Sequence, residues 1–327
     1  MTYSSAFLLT FFLIQCRSGS VDKPENSAHP ELTALHEDIL AHPFEDSLYF
    51  LRGAYYYQQE KYEDAIRDLE YAISLDSLKP PYHHLLADAL LDGNRSYEAL
   101  QALKKAVALF PQRIPTLLKL SEFQHILKQY EASLQTCQLI RNLDPANAEA
   151  WFMAGLNYRD LTDSAQAISS LQRATTLDDR HTDAWIILGK LLQSRDKDQA
   201  LKAFENAVFA DSTSLQALHS LAGYWQDLGQ VDRALDIYHS IIQIDPAYTA
   251  AFIQAGLIYF QQDSFSKAYE YFDIGCRQEP ADATVYFYRG TSREALGDSE
   301  GARSDYRQAL KLDPGYKEAG RALDLVN

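Results

Sequence analysis

From Asp46 onward, small and apolar residues return with a period of about 34 residues, eight times in succession. Counting from Asp46, Pro80, Ile114, Ala148, Thr182, Leu215, Thr249 and Ala283, the eighth residue is always small: Gly53, Ala87, Ser121, Gly155, Gly189, Ala222, Gly256 and Gly290. The twentieth is also small: Ala65, Ala99, Ser133, Ala167, Ala200, Ala234, Ala268 and Ala302. The twenty-fourth is apolar or bulky: Leu69, Leu103, Cys137, Leu171, Phe204, Tyr238, Phe272 and Tyr306. Within a unit, Trp151, Ala154, Gly155 and Tyr158 fall on one helical face, and Ala167, Leu171 and Ala174 on another. Each unit therefore predicts two antiparallel helices. Small residues mark the close helix approach, and large ones are expected to fill the space between successive hairpins. Pro111, Pro145, Pro246, Pro280 and Pro314 punctuate the second helices, because proline cannot continue the ladder. Leu228-Gly229-Gln230 and Leu296-Gly297-Asp298 read as the turns within hairpins.

The run Trp185, Leu188-Gly189, Ala200, Phe204 and Ala207, and the run Trp151, Gly155, Tyr158, Ala167 and Ala174, resemble the tetratricopeptide repeat family. The resemblance implies an all-α fold, a right-handed α-solenoid of stacked antiparallel helix pairs with capping helices. Its eight units would be 46–79, 80–113, 114–147, 148–181, 182–214, 215–248, 249–282 and 283–316. The fifth unit is one residue short between Leu192 and Ala200, in an exposed turn that tolerates length change. Solenoid ends need covers. Residues 29–44, with Glu31 to Ala41 as their core, read as an N-terminal capping helix, and residues 317–327 as a C-terminal one.

Outside the repeat lies a short apolar run, Ala6 to Ile14, too short to span a bilayer but suited to a secretory signal over residues 1–15. Leu13-Ile14-Gln15-Cys16 resembles the lipobox of bacterial lipoproteins. The resemblance implies cleavage before Cys16, acylation of Cys16, and a lipid-anchored protein of a bacterial cell envelope facing the periplasm or the surface. Residues 16–28 are polar and Ser-rich and read as a flexible tether.

The formal net charge is −15, which repels phosphate backbones, so no nucleic-acid partner is expected. Cys137 and Cys276 fall in distant units, too far apart for the roughly 6 Å Cα separation of a disulfide, and are expected as free, buried thiols. No phosphate loop, His-Glu-x-x-His, Cys-x-x-Cys or Gly-x-Ser-x-Gly motif occurs. The chain is therefore expected to be no enzyme, with no metal and no cofactor. His83 and His84 are adjacent on a helix and point apart, so they read as ordinary surface or groove histidines.

The family resemblance places a partner in a concave groove lined by first helices. Its fifth and twelfth positions give Phe50, Tyr57, His84, Phe152, Arg159, His219, Phe260 and Phe287 as the candidate binding residues. Exposed apolar side chains of this kind suit an extended or helical segment of a protein or peptide partner. No Lys at the fifth position and no Asn at the ninth leaves a chaperone-tail clamp unsupported. The expected function is a non-catalytic interaction scaffold or adaptor, tethered through Cys16. The alternative is an envelope lipoprotein capturing a glycan or other ligand, with tyrosines of the run Tyr55-Tyr56-Tyr57 and Tyr269, Tyr271 and Tyr286 as stacking platforms, although Tyr56 holds the eleventh, packing position.

Overall fold

A computed structural model describes residues 30–326. The apolar run before Cys16, Cys16 itself and the tether to Ala28 lie outside the described residues. Among the described residues there are eighteen α-helices and no strand. They fall into two compact bodies, one reaching to Arg95 and the other starting at Ser96. The division cuts the turn of the second unit.

The first body holds α1 (Pro30–Ala41), α2 (Asp46–Gln58), α3 (Tyr62–Leu75) and α4 (Pro80–Asp92). The second body begins with α5 (Ser96–Leu109). It continues as hairpins α6 (Ile114–Ile126) with α7 (Tyr130–Leu143), α8 (Ala148–Asp160) with α9 (Ser164–Leu177), and α10 (Thr182–Leu192) with α11 (Lys197–Ala210). Then follow α12 (Leu215–Asp227) with α13 (Val231–Ile244), α14 (Thr249–Gln261) with α15 (Phe265–Gln278), and α16 (Ala283–Ala295) with α17 (Ser299–Leu312). The last helix is α18 (Lys317–Val326).

The small residues act where the sequence places them. A Cβ on Gly155 would lie 2.7 Å from Leu171 Cγ, and one on Gly290 would lie 2.7 Å from Tyr306 Cε1. The twenty-fourth side chain thus fills the interior of its own hairpin, directly over the eighth residue. That corrects the expectation that it fills space between hairpins: the missing Cβ at position 8 creates the room it occupies. Ala65, Leu69, Ala167, Leu171, Ala302 and Tyr306 are all fully buried.

The turns follow a rule that was not read from the glycines alone. The fifteenth residue is left-handed in seven units: Glu60, Asn94, Lys128, Thr162, Gly229, Asp263 and Gly297, with φ between 55° and 86°. Two of these are glycine, and Asn94 and Asp263 are of types that tolerate the region, so the tertiary packing holds three ordinary residues, Glu60, Lys128 and Thr162, in a costly conformation. In the fifth unit the one-residue deletion removes that left-handed residue. There α10 is only 11 residues long, Gln193 continues right-handed, and Asp196 is extended with φ −148°.

Between units, an aspartate caps the second helix. Asp76, Asp144, Asp178, Asp211, Asp245 and Asp313 each accept a backbone N–H from two residues on. The fourth residue of the next unit then ties down the same linker. Tyr49 donates to Pro43 O at 3.0 Å, Trp151 to Pro145 O at 3.3 Å and Trp185 to Asp179 O at 2.9 Å. His83 Nε2 lies 2.8 Å from Ser77 O in the equivalent place. His83 is therefore a buried linker residue, not the surface or groove histidine its sequence suggested.

At the ends, α1 buries only Ile39 and α18 buries only Ala319. Lys317, Glu318, Arg321 and Asp324 face solvent, while Ala322, Leu323 and Val326 are half-buried.

Candidate functional site

Successive first helices touch one another: α2 with α4 in the first body, and α6 with α8, α10 with α12 and α14 with α16 in the second. Each body therefore presents a face built from first-helix side chains. The expectation that this face carries freely exposed aromatics needs correction, because a ring contact repeats along it. The fifth residue of a unit packs on the ring of the last residue of the same unit. Phe152 lies 4.3 Å from His181, His219 lies 5.8 Å from Tyr248, and Phe287 lies 5.1 Å from Tyr316. His181, Tyr248 and Tyr316 all hold the thirty-fourth position. Phe50 stacks on Tyr82 at 4.6 Å in a related way.

Phe152 is consequently buried, at 9% exposure, and belongs to the core around Leu171 and Leu188. It is withdrawn as a contact residue. Phe50, Tyr57, His84, Arg159, His219, Phe260 and Phe287 are half-buried. Phe287 packs among Tyr288, Tyr306 and Tyr316, and Phe260 sits edge-on to Phe265 at 5.2 Å.

The polar members of the face are also engaged. Tyr57 donates to Asp92 at 2.6 Å, from the twelfth position of one unit to the thirteenth of the next. Burial, and then Asp92, hold its hydroxyl above the ordinary tyrosine range. In the second body, His125 Nε2 and Asp160 Oδ2 are 3.5 Å apart in the same relation, and Arg159 Nε meets Asp160 at 2.6 Å. These acidic partners, Asp92 and Asp160, were missed; the signal was the residue following the twelfth position. His219 lies between Tyr238 and Tyr248, and its Nδ1 is buried without a hydrogen-bond partner among the described residues. Burial, and then Lys190, lower its pKa, so the imidazole is neutral at pH 7. Lys190, exposed at the ninth position of the fifth unit, is a further cation on this face.

Three of the candidate stacking tyrosines are half-buried and engaged by neighbouring side chains. Tyr271 bonds His239 at 2.8 Å, Tyr286 lies under Arg289 with Cζ 5.3 Å from the ring, and Tyr269 lies under Arg293 at the same distance. Cys137 and Cys276 are free and buried. Burial raises both thiol pKa values, that of Cys276 up to about 12, so neither presents a thiolate at neutral pH. No group of three His, Cys, Asp or Glu side chains among the described residues could hold a metal ion.

Family models described as tetratricopeptide repeat match residues 50–114 and 190–249, residues 148–181 and residues 283–316, together more than half of the chain. Tetratricopeptide repeat protein 37 of Xenopus laevis is 25% identical over 272 residues, covering 69% of this chain and 17% of the relative. Anaphase-promoting complex subunit 7 of Dictyostelium discoideum is 26% identical over 227 residues, covering 68% of this chain and 38% of the relative. The chain thus spans less than half the length of the curated relatives it matches. Among solved structures, a tetratricopeptide repeat protein from Parabacteroides merdae superposes with a TM-score of 0.51 at 17% identity, over 76% of this chain and 98% of that one. That likeness shows the fold, an α-solenoid of stacked helix pairs.

Proposed function

Because this chain belongs to the tetratricopeptide repeat family, we propose that it is a non-catalytic scaffold whose first-helix face holds a segment of a partner protein. One observation carries this reading. Adjacent first helices present half-exposed aromatic and polar side chains in register, where an extended or helical segment can lie along several units at once. Phe260, Arg159, Lys190 and His219 in the second body, and Phe50 and His84 in the first, are the residues that would touch it. Tyr57 and Phe287 would shape the face from behind. A relative named as a subunit of the anaphase-promoting complex supports a role within a multiprotein assembly. The acidic balance of the chain argues against nucleic acid as the partner.

The test is affinity capture with the intact chain and with a variant carrying Arg159→Glu, Lys190→Glu and Phe260→Ser, whose helical circular dichroism is checked first because Phe260 is half-buried against Phe265. Loss of a stoichiometric protein partner from the variant is expected. A partner profile unchanged by all three, or turnover of a substrate by the purified chain alone, would overturn the reading.

We further propose that Cys16 is acylated and holds the protein in a bacterial envelope. The support is the apolar run Ala6 to Ile14 with Leu13-Ile14-Gln15-Cys16 at its end. Cys16→Ser should move the protein from the membrane to the soluble fraction. If it stayed with the membrane, the anchor would lie elsewhere.

A further inference from the structure

The first and last units share a feature that the six between them lack. Tyr49-Phe50-Leu51-Arg52-Gly53 in α2 corresponds to Tyr286-Phe287-Tyr288-Arg289-Gly290 in α16, and Asp68 in α3 corresponds to Asp305 in α17. The same two positions hold Leu86 and Ala102, Leu120 and Thr136, or Ala154 and Ser170 in the second, third and fourth units. In both end units the arginine grips its aspartate with two nitrogens. Arg289 reaches Asp305 at 3.0 Å from Nε and 2.6 Å from Nη2. Arg52 reaches Asp68 at 2.6 Å from Nε and 2.8 Å from Nη2. Each guanidinium also lies over its tyrosine, Tyr286 at 5.3 Å and Tyr49 at 5.6 Å.

The two sites differ at the third nitrogen. Arg289 Nη1 meets a second carboxylate, Asp273 of the preceding helix α15, at 2.8 Å. By the same register His36 of α1 stands where Asp273 stands, and its Nε2 lies 3.5 Å from Tyr56 rather than at the arginine. Arg52 Nη1 has no acceptor among the described residues. Arg52 instead lines an open cleft of about 520 Å³, together with Tyr49, Arg67, Asp68, Glu70, Tyr71 and Ser74 of α2 and α3. Tyr49 and Tyr71 form an edge-to-face pair at 4.5 Å on its wall.

We propose that this cleft is a second docking site, distinct from the first-helix face, that receives one carboxylate side chain from a helix of a partner protein. The occupant's chemistry is argued from the chain's own example. At the last unit the Asp273 carboxylate arrives on a helix, with Phe272 beside it, and completes the arginine's three-sided hydrogen bonding. At Arg52 the cleft lining already balances two arginines against Asp68 and Glu70, so what would hold an incoming carboxylate is the directed hydrogen bond of the open Nη1 rather than net positive charge. At the last unit Arg293 supplies a second cation, 3.0 Å from Asp305. At the first, Arg67 on the cleft wall is 75% exposed and held only by Asp64 at 3.2 Å, a weak surface pair that can turn inward. Asp68 and Glu70 on the same wall restrict the site to a single carboxylate and exclude a strongly acidic stretch.

The test uses the full chain with labelled arginine side chains, followed by NMR, titrated with an acetylated, amidated peptide of residues 265–278 carrying Cys276→Ser. The Arg52 Nε–H signal should shift to saturation. The Arg289 signal, whose site is already filled, should stay put. A peptide that also carries Asp273→Asn should bind about tenfold more weakly or worse, since the charge-assisted bond is lost. A chain with Arg52→Met and Asp68→Leu, which removes the pair without stranding a buried charge, should keep its helical circular dichroism and lose the peptide. A stationary Arg52 signal, equal binding of the Asp and Asn peptides, or undiminished binding to the double variant would each overturn the proposal. None of these outcomes touches the first-helix reading, whose residues lie on other faces.

Discussion

Asn157 donates from Nδ2 to Ser133 Oγ at 2.7 Å, joining α8 to α7 across the boundary between two units. Both residues are fully buried. Asn157 also donates to Met153 O at 2.8 Å, while its Oδ1 faces His125 Nδ1 at 2.9 Å. Ser133 in turn donates to Ser121 O at 2.8 Å. The third hairpin is thus closed by a connected polar network where its neighbours use a large apolar side chain. Asn157→Ala should cost about 1–3 kcal/mol, because buried partners lose their bonds. Replacing both members, as Ser133→Ala with Asn157→Leu, should recover much of that loss. Urea unfolding of the three variants checks it; equal losses for single and double variants would show that the network is not what matters.

Asp305 is held by two arginines at once. Its carboxylate, 3% exposed, meets both Arg289 and Arg293. Asp305→Ala should cost about 3–5 kcal/mol, because two half-buried guanidinium groups lose the buried acceptor they share. Arg67→Ala, at an exposed pair, should cost less than about 1 kcal/mol. Thermal unfolding distinguishes the two directly.

Thr162 sits at φ 62°, a conformation that a β-branched residue adopts only under constraint. Thr162→Gly should raise stability by about 1 kcal/mol, the relief of left-handed strain less the added freedom of the unfolded chain. Asp196→Gly is the control. Its backbone is extended and its side chain caps α11 through Gln199, so the same change there should lower stability. Opposite signs in chemical unfolding are the expected result.

His219 carries a pKa lowered by burial and by Lys190. The unfolded chain therefore binds a proton at this site at a higher pH than the folded one. Stability from His219 is present above its unfolded value and is lost as pH falls below about 6.5 toward the folded value. His219→Phe should flatten that part of the stability–pH curve. At neutral pH it should also stabilise by about 1 kcal/mol, because it removes a buried nitrogen that has no partner. If the slope persisted in the variant, another group would be responsible.

The period made the hairpins legible. Gly155, Ala167 and Leu171 announced a close helix approach by size alone, and the structure puts them in that approach. What escaped the sequence depended on residues without a size or polarity signature. Phe152 looked like a groove residue because nothing about His181 said it would cover the ring. Thr162 and Lys128 gave no hint of left-handed backbone, unlike Gly229 and Gly297 and, more weakly, Asn94 and Asp263, whose residue types favour it. Arg52 and Asp68 lie on separate helices. Only the fold brings the seventh and twenty-third positions within bonding distance. The polar third hairpin was visible as Cys137 and Ser133 at positions that are elsewhere larger or apolar, but its partner Asn157 belongs to the next unit.

The two buried thiols have a practical consequence. Cys137 lies in α7 of the third hairpin and Cys276 in α15 of the seventh, and both are buried, so alkylation of either should wait for the packing around it to open. Under slow labelling, each cysteine becomes a local stopwatch for one part of the array. A reagent that marks Cys276 long before Cys137, or the reverse, would reveal which end of the second body breathes first, with no added probe or engineered residue.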